Sequence, residues 1–283
     1  MKSQKLVEDL KYARDHSYAL GAFNIFNYLS AKAVIDAAVK LNTPVILQTS
    51  VSTVKQFGVE ELGAMLGDLR DRAPVNVYIH LDHCTDLDLA RACVDAGWDS
   101  IMYDGSALPV DENIKNCQEI IPYAHEHGVF VEGELGTIGG VEDNVSVAED
   151  DVVGAKFDES IRFVEETGVD LLAPAIGTAH GIYKGTPHIN FELVEELKTA
   201  LDTPVVIHGG SGLPEETFRR LVRGGGCKVN ISTAIKHAYL DNSKKYWEEF
   251  PNKVNPLHFD EYLSEKIEEV ALEHLTFFRK DMV

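Results

Sequence analysis

Short apolar runs, rich in β-branched residues, recur along the chain, and each is followed by a segment whose apolar residues fall at helical spacing. Near-continuous apolar strands that alternate with amphipathic helices are typical of a parallel sheet covered by helices. The eight runs are AFNI (22–25), PVILQTS (44–50), VYIHLD (77–82), SIMYD (100–104), VFVEGEL (129–135), LLAPAIG (171–177), PVVIHGG (204–210) and CKVNIST (227–233). Eight such units favour a closed (β/α)₈ TIM barrel, an α/β fold, over an open doubly wound sheet.

Charged residues, proline and glycine mark where several of the intervening helices begin and end. Asp111 and Glu112 open the helix after the fourth run, since acidic side chains stabilise a first turn. Pro214, followed by two glutamates, opens another. Gly128 and Gly168 end two helices, because glycine readily adopts the left-handed conformation found there.

The chain of 283 residues is long enough for nearly two average domains, but no linker or break in composition divides it. We therefore predict one TIM-barrel domain, residues 1–283. Two segments exceed a minimal barrel. Residues 136–159, after the fifth strand, are rich in glycine and acid and are predicted to form a long mobile loop over the barrel mouth. Residues 260–280 have an amphipathic pattern and predict an extra C-terminal helix, packed on the barrel or on a partner subunit.

Acidic residues outnumber basic ones, with 46 Asp and Glu against 26 Lys and Arg and a formal net charge of −20. Nucleic acids and anionic membranes reward clustered positive charge, so we expect neither as a partner. A hydrophobic fraction of 45% excludes a disordered acidic chain.

Other features of the composition predict a cytoplasmic protein. The four cysteines form no CxxC pair and are too sparse for a disulfide scaffold, which fits a reducing compartment. The N-terminal segment mixes both charge signs and lacks the apolar core of a signal peptide. No stretch approaches the roughly 18 uninterrupted apolar residues that a membrane helix needs.

Histidines lie at the ends of three predicted strands, and in a barrel the strand ends meet at one mouth. The third strand ends in His80-Leu81-Asp82-His83, the sixth leads into His180, and the seventh ends at His208. A single histidine at such a position is most often a hydrogen-bonded structural residue. Three converging imidazoles with a fourth position open are typical of a catalytic zinc site, and we predict such a site here.

Carboxylates are expected at the same mouth. They are Asp82, Asp104 at the end of the fourth strand, and Glu132 and Glu134 in the fifth. Residues 132 and 134 share one face of their strand, so both can point into the barrel. For Glu132 we expect a structural role, either orienting a histidine or pairing with a lysine of the barrel. Asp82 adjoins a predicted ligand, which places a carboxylate within proton-transfer reach of whatever the metal holds.

Glycine-rich and polar segments follow the last two strands, where barrels commonly bind phosphate. They are Gly209-Gly210-Ser211-Gly212 and Asn230-Ile231-Ser232-Thr233. A bare GGSG is most often a turn, but its position next to a histidine strand end favours a phosphate loop. Lys184 either adds a positive charge or lies on the surface. A divalent metal, an acid/base carboxylate and a phosphate cradle together suit stabilisation of an enediolate from a phosphorylated ketone.

Eight motifs span nearly the whole chain: AFNIFN, PVILQTS, HLDH, MYDGS, VEGELGTIGGVED, AHGIYKG, HGGSGLP and KVNIST. In this order they resemble the motifs of the class II, metal-dependent ketose-bisphosphate aldolases, the family of fructose-bisphosphate and tagatose-bisphosphate aldolases. Co-occurrence of HLDH, ELGxxGGxED, AHG and HGGSG is highly specific. The resemblance implies a TIM-barrel enzyme that assembles as a homodimer or homotetramer.

The resemblance also implies roles for individual residues. Asp82 matches the catalytic proton donor and acceptor on the carbon-4 hydroxyl, and Glu142 matches the glutamate that exchanges the carbon-3 proton. The implied metal ligands are His83, His180 and His208 for one zinc ion per subunit, with Asp104 and Glu134 as alternative or second-site ligands. The implied substrate- and phosphate-binding residues are Asn24, Ser50, Gly181, Lys184, Gly209, Gly210, Ser211, Asn230, Ser232 and Thr233.

The implied reaction is reversible retro-aldol cleavage of a phosphorylated ketose, a ketose 1-phosphate or 1,6-bisphosphate. The bond between carbons 3 and 4 breaks, and the resulting enediolate becomes dihydroxyacetone phosphate. In the family a monovalent cation, Na⁺ or K⁺, often lies beside the site for this phosphate.

One departure from the family pattern bears on the substrate. Many members carry Asp-Pro-Arg, an aromatic residue and Leu near the C-terminus, where the arginine holds the second phosphate. Alignment on Tyr262-Leu263 places Asp260 at that arginine. A carboxylate repels a dianionic phosphate, which argues against a standard bisphosphate unless another cation substitutes. Ser232 also stands where fructose-1,6-bisphosphate enzymes commonly have Asp or Asn. We therefore expect a ketose 1-phosphate or a ketose with a different distal group.

Three other functions fit parts of the pattern. A Schiff-base aldolase would need a desolvated lysine at a strand end, where Lys228 is the candidate. A metal-dependent hydrolase could use three histidines and an aspartate, but it would not need both the glycine-rich loop and the acidic loop. A non-catalytic sugar-phosphate sensor would not need Asp82 and the three histidines intact.

Overall fold

The eight apolar runs form a closed barrel of parallel strands in the computed structural model, which describes residues 2–142, 145–147, 153–181, 183, 185 and 187–279. The described strands are β1 (Leu20–Asn24), β2 (Val45–Ser50), β3 (Val77–Cys84), β4 (Ser100–Tyr103), β5 (Phe130–Leu135), β6 (Gly139–Glu142), β7 (Val145–Val147), β8 (Leu171–Pro174), β9 (Ala179–His180), β10 (Val205–Ile207) and β11 (Gly226–Ile231). The order around the barrel is β1-β11-β10-β8-β5-β4-β3-β2. The predicted TIM barrel is confirmed.

Helices connect successive barrel strands and cover the outside of the barrel. They are α1 (Lys2–Asp15), α2 (Tyr28–Leu41), α3 (Val51–Phe57), α4 (Val59–Arg72), α5 (Leu87–Asp95), α6 (Val110–Glu126), α7 (Phe157–Thr167), α8 (Phe191–Ala200), α9 (Glu215–Gly224), α10 (Thr233–Glu249) and α11 (Pro256–Phe277). Asp111 and Glu112 lie in the first turn of α6, and Gly168 ends α7 in the left-handed conformation, as the sequence predicts. Among the described residues, no helix is both long enough and apolar enough to cross a membrane.

The end of the barrel at which the strands begin is closed by α1. Leu6, Leu10 and Ala13 of this helix are buried against the first inward residues of the strands, among them Leu20 and Leu171. This apolar plug leaves the opposite end, where the strands finish, as the place for polar side chains.

The segment 136–159 contains more regular structure than the predicted loop. β6 and β7 pair in antiparallel fashion, and β6 also pairs in parallel with β9 to give a small sheet of order β7-β6-β9. Two glycines and an acid in β6 give it no alternation of apolar and polar residues, so its sequence carries no strand signal. Residues 143–144 and 148–152 of the predicted loop lie outside the described residues.

The C-terminal helix α11 begins four residues before the predicted start. Pro256 occupies its first turn and the side chain of Asn255 accepts a hydrogen bond from the amide of Leu257 over 3.1 Å, so this proline starts a helix instead of breaking one. The helix packs against α2 and α10. Its buried residues include Leu263 and Ile267, which lie one turn apart on the face that meets the barrel.

Candidate active site

Three histidine side chains converge at the mouth of the barrel. His83 lies in β3, His180 in β9, and His208 directly after β10. One ring nitrogen of each lies within 4.8 Å of those of the other two. Nε2 of His83 and Nδ1 of His208 are 3.1 Å apart. The structure thus brings together the three histidines that the sequence analysis named as metal ligands.

His83 reaches this position through an irregularity near the end of β3. The pairing of β3 with β4 shifts register between Leu81 and Cys84, and bulges of this kind re-aim side chains. His83 has a φ of 47°, in the left-handed region, which costs a non-glycine residue about 1–2 kcal/mol. Nδ1 of its ring forms a hydrogen bond of 2.8 Å with Oδ2 of Asp104. Nε2 is therefore the ring nitrogen that faces the other two histidines.

His180 is placed by close backbone contacts, because β8 ends well before it. Its strand β9 pairs with β6 at Gly140, where φ is 102° and a Cβ would lie 2.1 Å from the carbonyl oxygen of His180. The hydroxyl of Tyr183 accepts a hydrogen bond from the amide of Ala179 over 2.9 Å and donates one to the carbonyl of Gly209 over 2.7 Å. These contacts fix His180 to the small sheet and to the loop after β10.

His208 lies against the two glutamates of β5. Its Nε2 donates a hydrogen bond to Oε1 of Glu132 over 2.7 Å, and its Nδ1 lies 3.3 Å from Oε2 of Glu134. Burial lowers the pKa of His208, but the two carboxylates outweigh burial and raise the pKa to about 9. Because Glu132 binds Nε2, Nδ1 is the nitrogen that faces the cavity.

Glu132 also belongs to a buried charged network. Its Oε2 accepts a hydrogen bond from Nζ of Lys228 over 2.8 Å, and both residues are 0% exposed. Burial alone would raise the pKa of Glu132, but Lys228 and His208 outweigh it and hold the pKa below its usual range. These contacts agree with the structural role expected for Glu132. A lysine whose Nζ is bound to a buried carboxylate is not placed as the free nucleophile that a Schiff-base aldolase needs.

Asp82 is 2% exposed and is held by two side-chain amides. Nδ2 of Asn24 donates to its Oδ2 over 2.7 Å, and Nδ2 of Asn230 donates to its Oδ1 over 3.3 Å. Gln48 in turn donates to Oδ1 of Asn24 over 3.0 Å, which fixes the orientation of that amide. Amide N–H groups orient a carboxylate without protonating it, so Asp82 stays able to accept a proton.

The donor set fits a zinc-like divalent ion. Zinc–nitrogen bonds of about 2.0–2.1 Å in a tetrahedron put two donor atoms about 3.3 Å apart, close to the 3.1 Å between Nε2 of His83 and Nδ1 of His208. Burial lowers the pKa of His83, but the acids around it raise the pKa well above its ordinary value, so this cavity favours positive charge. His83, Asp104 and Glu134 form a second group within 4.8 Å, at the alternative position that the resemblance implies.

The glycine-rich loop after β10 is tied to the end of β11 and to the start of α10. The amide of Gly210 donates to the carbonyl of Asn230 over 3.2 Å. Oγ of Ser211 accepts a hydrogen bond from the amide of Ala234 over 3.2 Å. The loop and the helix start therefore form one unit beside His208.

This unit has the features of an anion site. Thr233 begins α10, a helix of 17 residues with no acid in its first turn, and a helix N-terminus presents unpaired N–H groups to an anion. Oγ of the buried Ser232 has no hydrogen-bond partner among the described residues. Gly181, with a φ of 92°, follows His180 on the other side of the cluster.

Four other residues named from the sequence lie at different places. Ser50 lines a pocket at the ends of β1 and β2. Asp260 is exposed on α11 and is not among the described residues that line this pocket. The backbone of Glu142 ends β6, and its side chain lies outside what the structure describes. Lys184 lies outside the described residues.

Sequence reasoning missed two residues that position the site, Gln48 and Tyr183. Gln48 interrupts the apolar run of β2, and a polar residue within a buried strand is the signal that could have identified it. Tyr183 gives no such signal, because the carbonyl that it binds, that of Gly209, lies in a loop 26 residues away that only the fold brings to it.

The fold and the site together define a TIM-barrel enzyme whose histidines and acids suit a divalent metal. A family model described as fructose-bisphosphate aldolase class-II matches residues 4–281. The chain belongs to this family and is an aldolase, a carbon–carbon lyase. The family is generally zinc-dependent and acts on sugar phosphates.

Solved structures of aldolases resemble this chain over nearly its whole length. The YdjI aldolase from Escherichia coli K12 is 30% identical with a TM-score of 0.85, and the match covers 98% of this chain and 97% of that one. Fructose-bisphosphate aldolase from Campylobacter jejuni is 21% identical with a TM-score of 0.84, over 100% of this chain and 96% of that one, and shows the shared fold.

Proposed function

We propose that this chain catalyses zinc-dependent, reversible retro-aldol cleavage of a phosphorylated ketose, a ketose 1-phosphate or 1,6-bisphosphate, to dihydroxyacetone phosphate and an aldehyde. The observation that carries the proposal is the convergence of His83, His180 and His208 beside Asp82, an oriented and buried carboxylate. A metal site and a positioned base are the two components that this cleavage needs.

His83, His180 and His208 would hold the zinc ion, with Asp104 and Glu134 as alternative or second-site ligands. A zinc ion at this place supplies a Lewis acid that polarises the carbonyl group of the ketose. Asp104 and Glu132 each hold one ring nitrogen of a ligand histidine, so the other nitrogen of each ring is presented to the ion.

Asp82 would accept the proton of the carbon-4 hydroxyl. As that oxygen becomes the aldehyde carbonyl, the bond between carbons 3 and 4 breaks and its electron pair moves onto carbon 3, which gives the enediolate. Glu142 would return a proton to carbon 3 and so complete dihydroxyacetone phosphate. In the condensation direction the same two residues exchange the same protons in reverse.

The phosphate of dihydroxyacetone phosphate would bind the unit formed by the loop after β10 and the start of α10. Backbone N–H groups, with the hydroxyls of Ser211, Ser232 and Thr233, provide donors without any formal charge. Gly181 and Lys184 would complete this site, with a monovalent cation, Na⁺ or K⁺, alongside. Such a site explains how a chain with a net charge of −20 binds an anionic substrate.

Asp260 stands where many members of the family carry the arginine that holds a second phosphate, which argues against a standard bisphosphate unless another cation substitutes. Asp260 is exposed on α11 and is not among the described residues that line the pocket at the ends of β1 and β2, so we propose that the residues of that pocket contribute to the choice of distal group. We further propose one domain over residues 1–283, a homodimeric or homotetrameric assembly and a cytoplasmic location, since the four buried cysteines form no disulfide.

The test is a coupled assay for dihydroxyacetone phosphate over a panel of ketose 1-phosphates and 1,6-bisphosphates with zinc present. We expect at least one member to be cleaved to dihydroxyacetone phosphate and an aldehyde in equal amounts. Release of inorganic phosphate or of a hydrolysed product, without dihydroxyacetone phosphate, would instead identify a metal-dependent hydrolase. Tight binding of the panel without turnover would identify a sugar-phosphate sensor.

A further inference from the structure

A pocket of about 240 Å³ lies between the ends of β1 and β2 and the first turns of α10. It is small beside the roughly 300–1,000 Å³ of sites for drug-sized ligands, and so suits a fragment of a few carbons. Its lining includes Asn24, whose amide donates to Asp82 over 2.7 Å. The pocket therefore opens beside the carboxylate assigned to the carbon-4 hydroxyl.

One wall of the pocket consists of hydroxyl groups. Oγ of Ser50 lies 3.1 Å from Oγ of Ser52 and 3.1 Å from Oγ1 of Thr53. All three residues line the pocket. Hydroxyls of this kind donate hydrogen bonds to the oxygens of sugars, carboxylates and phosphates alike.

The lining residues from α10 are Lys236, Tyr239 and Leu240, and they are joined by Ile25 and Phe26 after β1. Phe26 and Tyr239 pack edge to face with ring centroids 5.0 Å apart. Lys236 is the one charged residue among the described residues that line the pocket, and no carboxylate is among them. A cation in this lining attracts an anionic group, in a chain whose net charge is −20.

We propose that this pocket receives the part of the substrate beyond carbon 4 and that Lys236 pairs with an anionic group, a carboxylate or a phosphate, at its far end. The proposal rests on the aldolase reaction proposed above, because the position of Asp82 relative to carbon 4 gives the direction in which the substrate extends. Lys236 is then a specificity-determining residue for the aldehyde half of the reaction. Its ammonium meets either anion as a point charge, and the hydroxyls of Ser50, Ser52 and Thr53 supply further donors.

The test is the condensation of dihydroxyacetone phosphate with two matched pairs of aldehydes by the full-length, zinc-loaded protein. Glyceraldehyde is compared with glyceraldehyde 3-phosphate, and threose with threuronate, so that each pair differs in a distal charge. The variants are Lys236→Met and Lys236→Arg. The control is Lys244→Met, on the same helix, where the lysine is exposed and pairs with Asp241 at 3.6 Å.

We expect Lys236→Met to raise KM for the anionic member of one or both pairs about 10- to 100-fold, the value of a hydrogen bond to a charged group. KM and kcat for the neutral members change less than about threefold. Lys236→Arg restores most of the preference, and Lys244→Met leaves it unchanged. A loss confined to glyceraldehyde 3-phosphate identifies a distal phosphate, and one confined to threuronate identifies a distal carboxylate.

Equal losses on neutral and anionic aldehydes in Lys236→Met, or a wild-type protein with no preference for either anion, overturn the proposal. In both outcomes the protein still forms carbon–carbon bonds between dihydroxyacetone phosphate and the aldehydes, so the aldolase function is retained in either case. Failure of that function has a different signature: the wild-type protein consumes no dihydroxyacetone phosphate with any of the four aldehydes, and the assignment of Lys236 fails with it.

Discussion

Nε2 of His208 donates a hydrogen bond to Oε1 of Glu132 over 2.7 Å, and this contact leaves Nδ1 to face the cavity between the three histidines. Replacement of such a carboxylate partner typically weakens metal binding about 10- to 100-fold. We expect Glu132→Gln to lower zinc affinity by that factor, measured by competition with a chromophoric chelator. Glu119→Gln, an exposed acid paired with Arg91 away from the site, is the control. Equal zinc affinity in Glu132→Gln and wild type would show that this contact does not orient the ligand.

Asp82 is expected to act on the proton of the carbon-4 hydroxyl without holding the metal. Asp82→Asn should therefore lower kcat for cleavage about 10²- to 10⁴-fold, the usual value of general base catalysis. Zinc content and the midpoint of unfolding should stay close to those of the wild type, because Asn keeps the size of the side chain. A variant that loses its zinc together with its activity would assign Asp82 to the metal site instead.

Gly140 is needed because its backbone lies against that of His180. A Cβ there would lie 2.1 Å from the carbonyl oxygen of His180, so Gly140→Ala should displace this ligand and lower zinc affinity at least about tenfold. Gly168→Ala is the matched control. Gly168 also has a positive φ, of 70°, but a Cβ there would have nothing within 4 Å. The variant Gly168→Ala should lower the free energy of unfolding by about 1–2 kcal/mol and leave zinc affinity unchanged. Indistinguishable zinc affinities in the two variants would contradict the role of Gly140.

Lys228 and Glu132 form a buried ion pair under the site. Removing one partner strands the other charge in the protein interior, so Lys228→Met should lower the free energy of unfolding by about 3–5 kcal/mol. The double variant Lys228→Met with Glu132→Met should recover part of that loss, since neither charge remains. Urea unfolding of the zinc-free proteins measures both values. A double variant less stable than Lys228→Met alone would show that the lost charge pair is not the cause.

The barrel and most of the mouth could be predicted from the sequence because their signals are local. Eight apolar runs separated by helical segments required no knowledge of contacts. Because strand ends meet at one mouth, the positions of His83 and His208 next to predicted strands were enough to bring them together. The alternation of Glu132 and Glu134 correctly placed both in the barrel interior.

The remaining features depend on contacts between distant segments. His180 lies in β9, a strand of two residues whose partner β6 carries no strand pattern, so its support could not be predicted. Lys236 lies three residues after the start of α10. A lysine in a helix usually indicates an exposed face. Only the packing of α10 against the ends of β1 and β2 brings this lysine to the pocket.

We propose above that His83, His180 and His208 hold the zinc ion on which carbon–carbon cleavage depends. The most direct measurement is dihydroxyacetone phosphate formation from the preferred ketose phosphate before chelation, after chelation, and after zinc is returned. A sample treated with borohydride in the presence of substrate runs in parallel. We predict that chelation removes the activity, that zinc restores it, and that borohydride traps no substrate on the protein. Undiminished cleavage in the chelated protein, with substrate trapped on Lys228, would contradict the account.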